Sequence, residues 1–167
     1  MDRITILGMG PLGVTIGIGL KKAGMRGTEI VGTDGDSRAL KKALQMGAID
    51  KVNSNLRDAI KGASLVIIDT PHSETREFLE AIGPILDEDS TVTDTGSAKS
   101  QTLGWVKQYL PKTVNYVGGR PLPIQVMLTL EDVVPGALEG TNYCVIPESS
   151  ASPESVRTVS GMVEVLG

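Results

Sequence analysis

Residues 3–13, Arg-Ile-Thr-Ile-Leu-Gly-Met-Gly-Pro-Leu-Gly, constrain the fold more than any other stretch of the chain. The β-favouring residues Ile4, Thr5, Ile6 and Leu7 run straight into G-x-G-x-x-G, and a helix is expected over 12–23. Each glycine has a separate task in a dinucleotide site. Gly8 permits a tight turn, Gly10 lets the backbone approach a pyrophosphate, and Gly13 lets helix and strand pack closely. The helix N-terminus offers free N–H groups and the positive end of its dipole. Pro11 suits the first helical turn, where its missing N–H costs nothing. A second β-like run over 29–33 ends at Asp34, 21 residues after Gly13. An acid at that spacing holds the ribose hydroxyls of NAD, and its charge repels the 2′-phosphate of NADP. The cofactor-binding set is therefore Gly8, Met9, Gly10, Pro11, Leu12, Gly13 and Asp34, with NAD as the cofactor. The competing explanation is a glycine-rich turn followed by a helix-capping Asp.

The remaining pattern alternates short aliphatic strands with amphipathic helices. Strands are expected over 48–52, 64–69, 91–93, 114–117 and 142–146. Helices are expected over 37–46, 55–60, 74–86 and 100–110, with a last one from Ser152 or Pro153. In the helix over 37–46, Asp36 caps, Leu40 and Leu44 face inward, and Gly47 stops the helix. Residues 121–140 read as a long loop with one helical turn. Aromatic residues make up 3% of the chain, so the core must be aliphatic. This predicts an α/β fold: a Rossmann-type doubly wound, mostly parallel sheet with helices on both faces. The 167 residues suffice for one such domain, 1–167.

Composition narrows the setting. A net charge of −4 with no basic block gives no sign of a nucleic-acid partner. With one cysteine and one histidine, a disulfide framework and a cysteine- or histidine-built metal site are excluded, and no metal is expected. No apolar run reaches the roughly 20 residues of a membrane span. The first strand begins at once, leaving no room for a targeting peptide, so a cytoplasmic location is expected. Cys144 reads as a small buried hydrophobe, and Trp105 as a packing residue on a helix face.

In a parallel α/β sheet the chemistry gathers beyond the strand carboxyl ends. The candidates there are Thr70-Pro71-His72, the segment Asp94-Thr95-Gly96-Ser97-Ala98-Lys99, and Gly118-Gly119-Arg120-Pro121. Arg120 offers a guanidinium that can grip a substrate carboxylate. Ser97 also suits the N-cap of the helix after it, and Lys99 the solvated first turn.

These segments together resemble the prephenate/arogenate dehydrogenase family. The resemblance runs from Ile4 to Gly167 on GMGPLG with Asp34, VIIDTP, TVTDTGSAK and VGGRPL, the third being the most specific to the family. It implies an oxidoreductase of tyrosine biosynthesis: hydride leaves a ring carbinol for NAD, and loss of CO₂ gives a phenol. It implies that Ser97 contacts nicotinamide and substrate, and that Thr70 and Pro71, with His72 beside them, line the nicotinamide ribose. Ser97, Arg120 and Lys99 form the catalytic set, and the partner is a small carboxylate-bearing substrate. The family's catalytic histidine is replaced here by Arg120, which keeps its proton at neutral pH and is a poor general base. Family members continue into a helical domain that dimerises. That domain is expected to be absent, leaving the aliphatic surface around Val163 and Leu166 open to self-association as a homodimer. Two other functions fit the pattern: a non-catalytic NAD-binding module, and another small reductase of the Rossmann clan.

Overall fold

Successive apolar residues of the strands point to opposite faces, and both faces are covered. The computed structural model describes residues 2–24, 27–122 and 129–167. In chain order the elements are β1 (Asp2–Leu7), α1 (Pro11–Lys22), β2 (Thr28–Thr33), α2 (Ser37–Gln45), β3 (Lys51–Val52), α3 (Leu56–Ile60), β4 (Ala63–Ile68), α4 (His72–Ile82), β5 (Thr91–Asp94), α5 (Lys99–Tyr109), β6 (Asn115–Leu122), β7 (Asn142–Pro147) and α6 (Pro153–Leu166). They build a 7-stranded sheet in the order β3-β2-β1-β4-β5-β6-β7. All pairs are parallel except β6 with β7. This is the doubly wound order, with its switch of direction between β1 and β4.

On one face Ile4, Ile6, Leu65 and Ile67 pack against residues of α1, α2 and α6; on the other Leu7, Val66, Ile68 and Val92 pack against α3, α4 and α5. The strand periodicity of two accounts for this division.

Several local expectations are corrected. Leu44 is 45% exposed, and α2 buries Leu40 and Ala43 instead, an i, i+3 pair. The expected strand over 48–52 shrinks to Lys51–Val52. The helix expected over 74–86 starts at His72 and ends at Ile82, passing into a 3₁₀ turn, Gly83–Ile85. Pro84 has no N–H to continue the helix. The strand expected over 114–117 extends to Leu122, because β7 pairs with it through Arg120↔Cys144 and Pro121↔Tyr143. Cys144 is half-buried on that outer strand rather than in the core. Of the long loop, Leu130–Asp132 forms a 3₁₀ turn capped by Thr129, and residues 123–128 lie outside the described residues.

Leu166 is also corrected: it is 6% exposed, while Val163 is half-buried. A side chain at Gly19 of α1 would stand 2.5 Å from Leu166 Cδ2, so α6 docks on the glycine-bearing face of α1. The open aliphatic surface expected there is not formed by Leu166. Leu166→Ala is expected to lower unfolding free energy by about 2–3 kcal/mol through the lost contacts and the cavity left behind. Denaturant titration checks this, and a change within error would contradict the packing.

Candidate functional site

At the carboxyl ends of β1 and β4 the backbones come together: Asp69 N–H donates to Leu7 O at 2.7 Å, and Gly8 N–H donates to Thr33 O at 2.9 Å. Gly8 has φ 98°, and a Cβ there would lie 2.0 Å from Asp69 O. A Cβ at Gly13 would lie 2.3 Å from Gly8 O. The folded chain itself therefore requires both glycines. Gly10 is different. It has ordinary extended backbone, φ −71° and ψ 178°, and the nearest atom to a Cβ there is Asp69 Oδ2 at 4.0 Å. Packing gives no reason for glycine at position 10.

Gly10 also caps α1 without a side-chain hydrogen bond, with Pro11 in the first turn and no acidic residue in that turn. The cap residue itself thus supplies no side-chain acceptor to this helix end. Met9 is fully buried and packs under Gly32, so its side chain belongs to the core. Its N–H donates to Asp34 Oδ2 at 2.6 Å, and Asp36 N–H donates to Asp34 Oδ1 at 2.7 Å. These bonds fix the Asp34 carboxylate beside the glycine loop and leave further lone pairs for hydroxyl donors.

Thr70, Pro71 and His72 follow β4, with Pro71 as the N-cap of α4. His72 Nε2 lies 2.7 Å from Gln101 Oε1, and the ring stacks on Trp105 at 4.9 Å, the packing role expected for that tryptophan. Among the described residues the buried side-chain atoms without a hydrogen-bond partner are Thr70 Oγ1, His72 Nδ1, Thr93 Oγ1 and Tyr143 OH. Thr70 and His72 follow β4, and Thr93 and Tyr143 lie on β5 and β7 toward the same edge of the sheet, that of the glycine loop. Buried polar atoms are rarely left unpaired, so these four are open to a polar partner.

The Asp94–Lys99 segment divides into two parts. Asp94 is 2% exposed, and its Oδ1 accepts from Tyr116 OH at 2.5 Å and from Lys99 Nζ at 2.7 Å. Lys99 is therefore not a solvated first-turn residue: its side chain is 13% exposed and lies against Gly118. Burial pushes the Lys99 ammonium below its ordinary pKa and the Tyr116 hydroxyl above its own. Ser97 is exposed, but it does not cap α5; Ala98 holds that position with no side-chain bond. The Ser97 hydroxyl has no hydrogen bond within the described residues.

Arg120 lies inside the antiparallel part of β6 rather than just beyond a strand end. Its Nη1 donates to Thr95 O at 3.0 Å, reaching over to the end of β5. Tyr143, opposite Pro121 on β7, lies against Gly119, where a Cβ would stand 2.9 Å from its hydroxyl. Burial raises the Tyr143 pKa, which keeps this hydroxyl protonated. Tyr143 and Asp69 were missed by sequence reasoning. The available signal for Asp69 was a carboxylate ending an otherwise apolar central strand; Tyr143 offered none.

Ser97, Arg120, Thr70, Pro71 and His72 thus share one edge with the glycine loop and Asp34, while Lys99 is buried in an ion pair behind them. A separate cleft of about 600 Å³ opens at the opposite edge, lined by Asp2, Thr28, Asp89 and Asn115 among others. It contains Ile4 and Thr91, from the first halves of β1 and β5, and none of the glycine loop, Asp34 or residues 94–99. No group of three or more His, Cys, Asp or Glu residues placed to hold a metal occurs among the described residues. Among those residues no helix is long and apolar enough to cross a membrane.

A family model for the prephenate dehydrogenase nucleotide-binding domain matches residues 16–167. Prephenate dehydrogenase of Bacillus subtilis is 26% identical over 164 residues, covering 98% of this chain and 44% of the relative. That of Lactococcus lactis is 33% identical over 124 residues, covering 73% of this chain and 34% of the relative. The crystal structure of Aquifex aeolicus prephenate dehydrogenase with hydroxyphenyl propionate and NAD+ superposes with a TM-score of 0.89 at 26% identity, covering 100% of this chain and 58% of that one. Synechocystis arogenate dehydrogenase shares the fold, with a TM-score of 0.87 at 21% identity. The chain spans less than half the length of the curated relatives it matches. With its sheet order and its glycine loop, it belongs to the prephenate dehydrogenase family and carries that family's nucleotide-binding domain.

Proposed function

We propose that residues 1–167 are the NAD-binding unit of a prephenate- or arogenate-type dehydrogenase. The observation that carries this reading is Gly10, a glycine that the fold does not need at the one place where a dinucleotide phosphate would approach. The residues fit the cofactor on two further counts: the anchored Asp34 and the unpartnered Thr70 Oγ1. When bound, NAD supplies the acceptor for a hydride from the substrate's ring carbinol, and loss of CO₂ then leaves an aromatic phenol.

The chain's own residues bind and orient. Gly10 and the first turn of α1 hold the phosphates, and Asp34 accepts from the adenosine ribose hydroxyls. Thr70, Pro71 and His72 border the nicotinamide ribose, with Thr70 Oγ1 and His72 Nδ1 free to bond. Ser97 offers its hydroxyl to nicotinamide and substrate. Arg120, braced on Thr95 O, binds the substrate carboxylate or ring hydroxyl as a fixed cation. Lys99 acts through Asp94: the pair holds the loop carrying Ser97, and the ammonium positions rather than reacts. A cytoplasmic setting and a homodimer complete the reading.

Measuring NAD reduction with prephenate and with arogenate, beside an NAD titration, tests it. Saturable binding with turnover on either substrate supports the dehydrogenase. Binding without turnover, even when the remaining part of a relative is supplied, supports a non-catalytic NAD module. Asp34 gives a further expected result. NAD should bind at least about tenfold more tightly than NADP, the value of roughly 1.4 kcal/mol of charge repulsion. Asp34→Ser should narrow that gap, and equal affinities in the unmutated chain would contradict the role.

A further inference from the structure

Asp69 stands inside the cradle that this reading gives to the phosphates. Its Oδ1 accepts from Thr95 Oγ1 at 2.5 Å, and the carboxylate lies beside Gly13 in the first turn of α1. Its Oδ2 is 3.0 Å from where a Cβ would lie on Gly13 and 4.0 Å from that of Gly10. An acidic side chain thus occupies the anion-binding end of a helix. As full charges, a carboxylate and a diphosphate would repel each other there with little water between them.

The groups around it do not neutralise it. Asp34, from the end of β2, pushes the Asp69 pKa up, and Arg120, from β6, pulls it down. The Tyr143 hydroxyl on β7 is neutral, and Asp94 and Lys99 of β5 and α5 are paired with each other. Burial is the largest influence and holds the Asp69 carboxyl above the usual carboxylate range, against the hydrogen bond from Thr95.

We propose that Asp69 is a residue of the dinucleotide cradle that carries a proton in the bound state, so that NAD binding takes a proton up from solution. This rests on the NAD reading above. The protonated carboxyl changes from a repelling charge into an O–H donor facing a phosphate oxygen. The sign follows from linkage. Below the free-state pKa the proton is already present and affinity is highest. Between the free and the higher bound pKa, affinity falls by up to tenfold per pH unit. Above both it levels off.

The test is calorimetric titration of NAD into the chain from about pH 5 to about pH 9, a range that spans a raised carboxyl. Paired buffers of different ionisation enthalpy count the protons exchanged. Net uptake is expected, with affinity falling as pH rises. Asp69→Asn keeps the side chain's size and an acceptor oxygen for Thr95; it should abolish the uptake, flatten the pH dependence, and at the alkaline end bind at least about tenfold more tightly than the unmutated chain. Thr95→Val removes a bond that lowers the carboxyl pKa, so it should shift the uptake window to higher pH. NAD binding without proton uptake would overturn the proposal. So would an Asp69→Asn chain that binds more weakly at every pH, since the carboxylate would then be accepting from a ribose hydroxyl. Failure of the unmutated chain to bind NAD at any pH would overturn both this proposal and the NAD reading.

Discussion

Gly10→Ala is expected to leave the fold intact and weaken dinucleotide binding, whereas Gly8→Ala should destabilise the fold itself. Position 10 has a φ that any residue adopts and open space around its missing Cβ. Alanine there should change unfolding free energy by less than about 1 kcal/mol and should slightly favour the native state by restricting the unfolded chain. A methyl group in the phosphate cradle should nevertheless weaken NAD at least about a hundredfold, close to the roughly 3 kcal/mol cost of overpacking a tight contact. Position 8 combines φ 98° with a Cβ only 2.0 Å from Asp69 O. Strain and clash together should cost about 3 kcal/mol or more. Denaturant unfolding and NAD titration on both variants separate the two effects. Equal loss of stability in both would mean that Gly10 is structural.

Arg120 carries the second large effect. Hydride transfer depends on holding the donor carbon close to the nicotinamide, so an anion clamp retains much of the benefit of positioning. It does not supply general acid–base assistance, worth about 10²–10⁴-fold. In a chain completed by the remaining part of a relative, turnover on prephenate should be slow. Arg120→His should raise kcat toward that range while changing NAD affinity far less, because the side chain bonds to Thr95 O rather than to the glycine loop. Arg120→Ala should raise KM for a carboxylate-bearing substrate. No gain with histidine and no change in KM with alanine would remove Arg120 from the substrate site.

Most of the scaffold was legible because its signals are local. The apolar run ending at Asp69 and the strand running into G-x-G-x-x-G each mark their element within a few residues, and the sheet order follows from strand–helix alternation. What was illegible depends on distant partners. Leu44 looked inward by spacing, but the small Ala43 lies against the sheet and turns Leu44 out. The extension of β6 through Gly118-Gly119-Arg120-Pro121 has little strand propensity of its own and exists because β7 pairs with it. Lys99 reads as an exposed first-turn residue until Asp94 and Tyr116 are seen to enclose it. The carboxyl of Asp69 reaches a helix that begins 58 positions earlier in the chain, at Pro11, and no sequence window contains both.

The central claim is that NAD binds at the glycine-loop edge of the sheet, and backbone amide chemical-shift mapping during an NAD titration tests it most directly. The expected result is saturable shifts at the amides of Gly8, Met9, Gly10, Leu12, Gly13, Thr70 and His72 and of residues 34–36 and 95–97, with the amides of Asp2, Thr28, Asp89 and Asn115 unmoved at the opposite edge. Shifts concentrated around that opposite cleft, or none at saturating NAD, would contradict it.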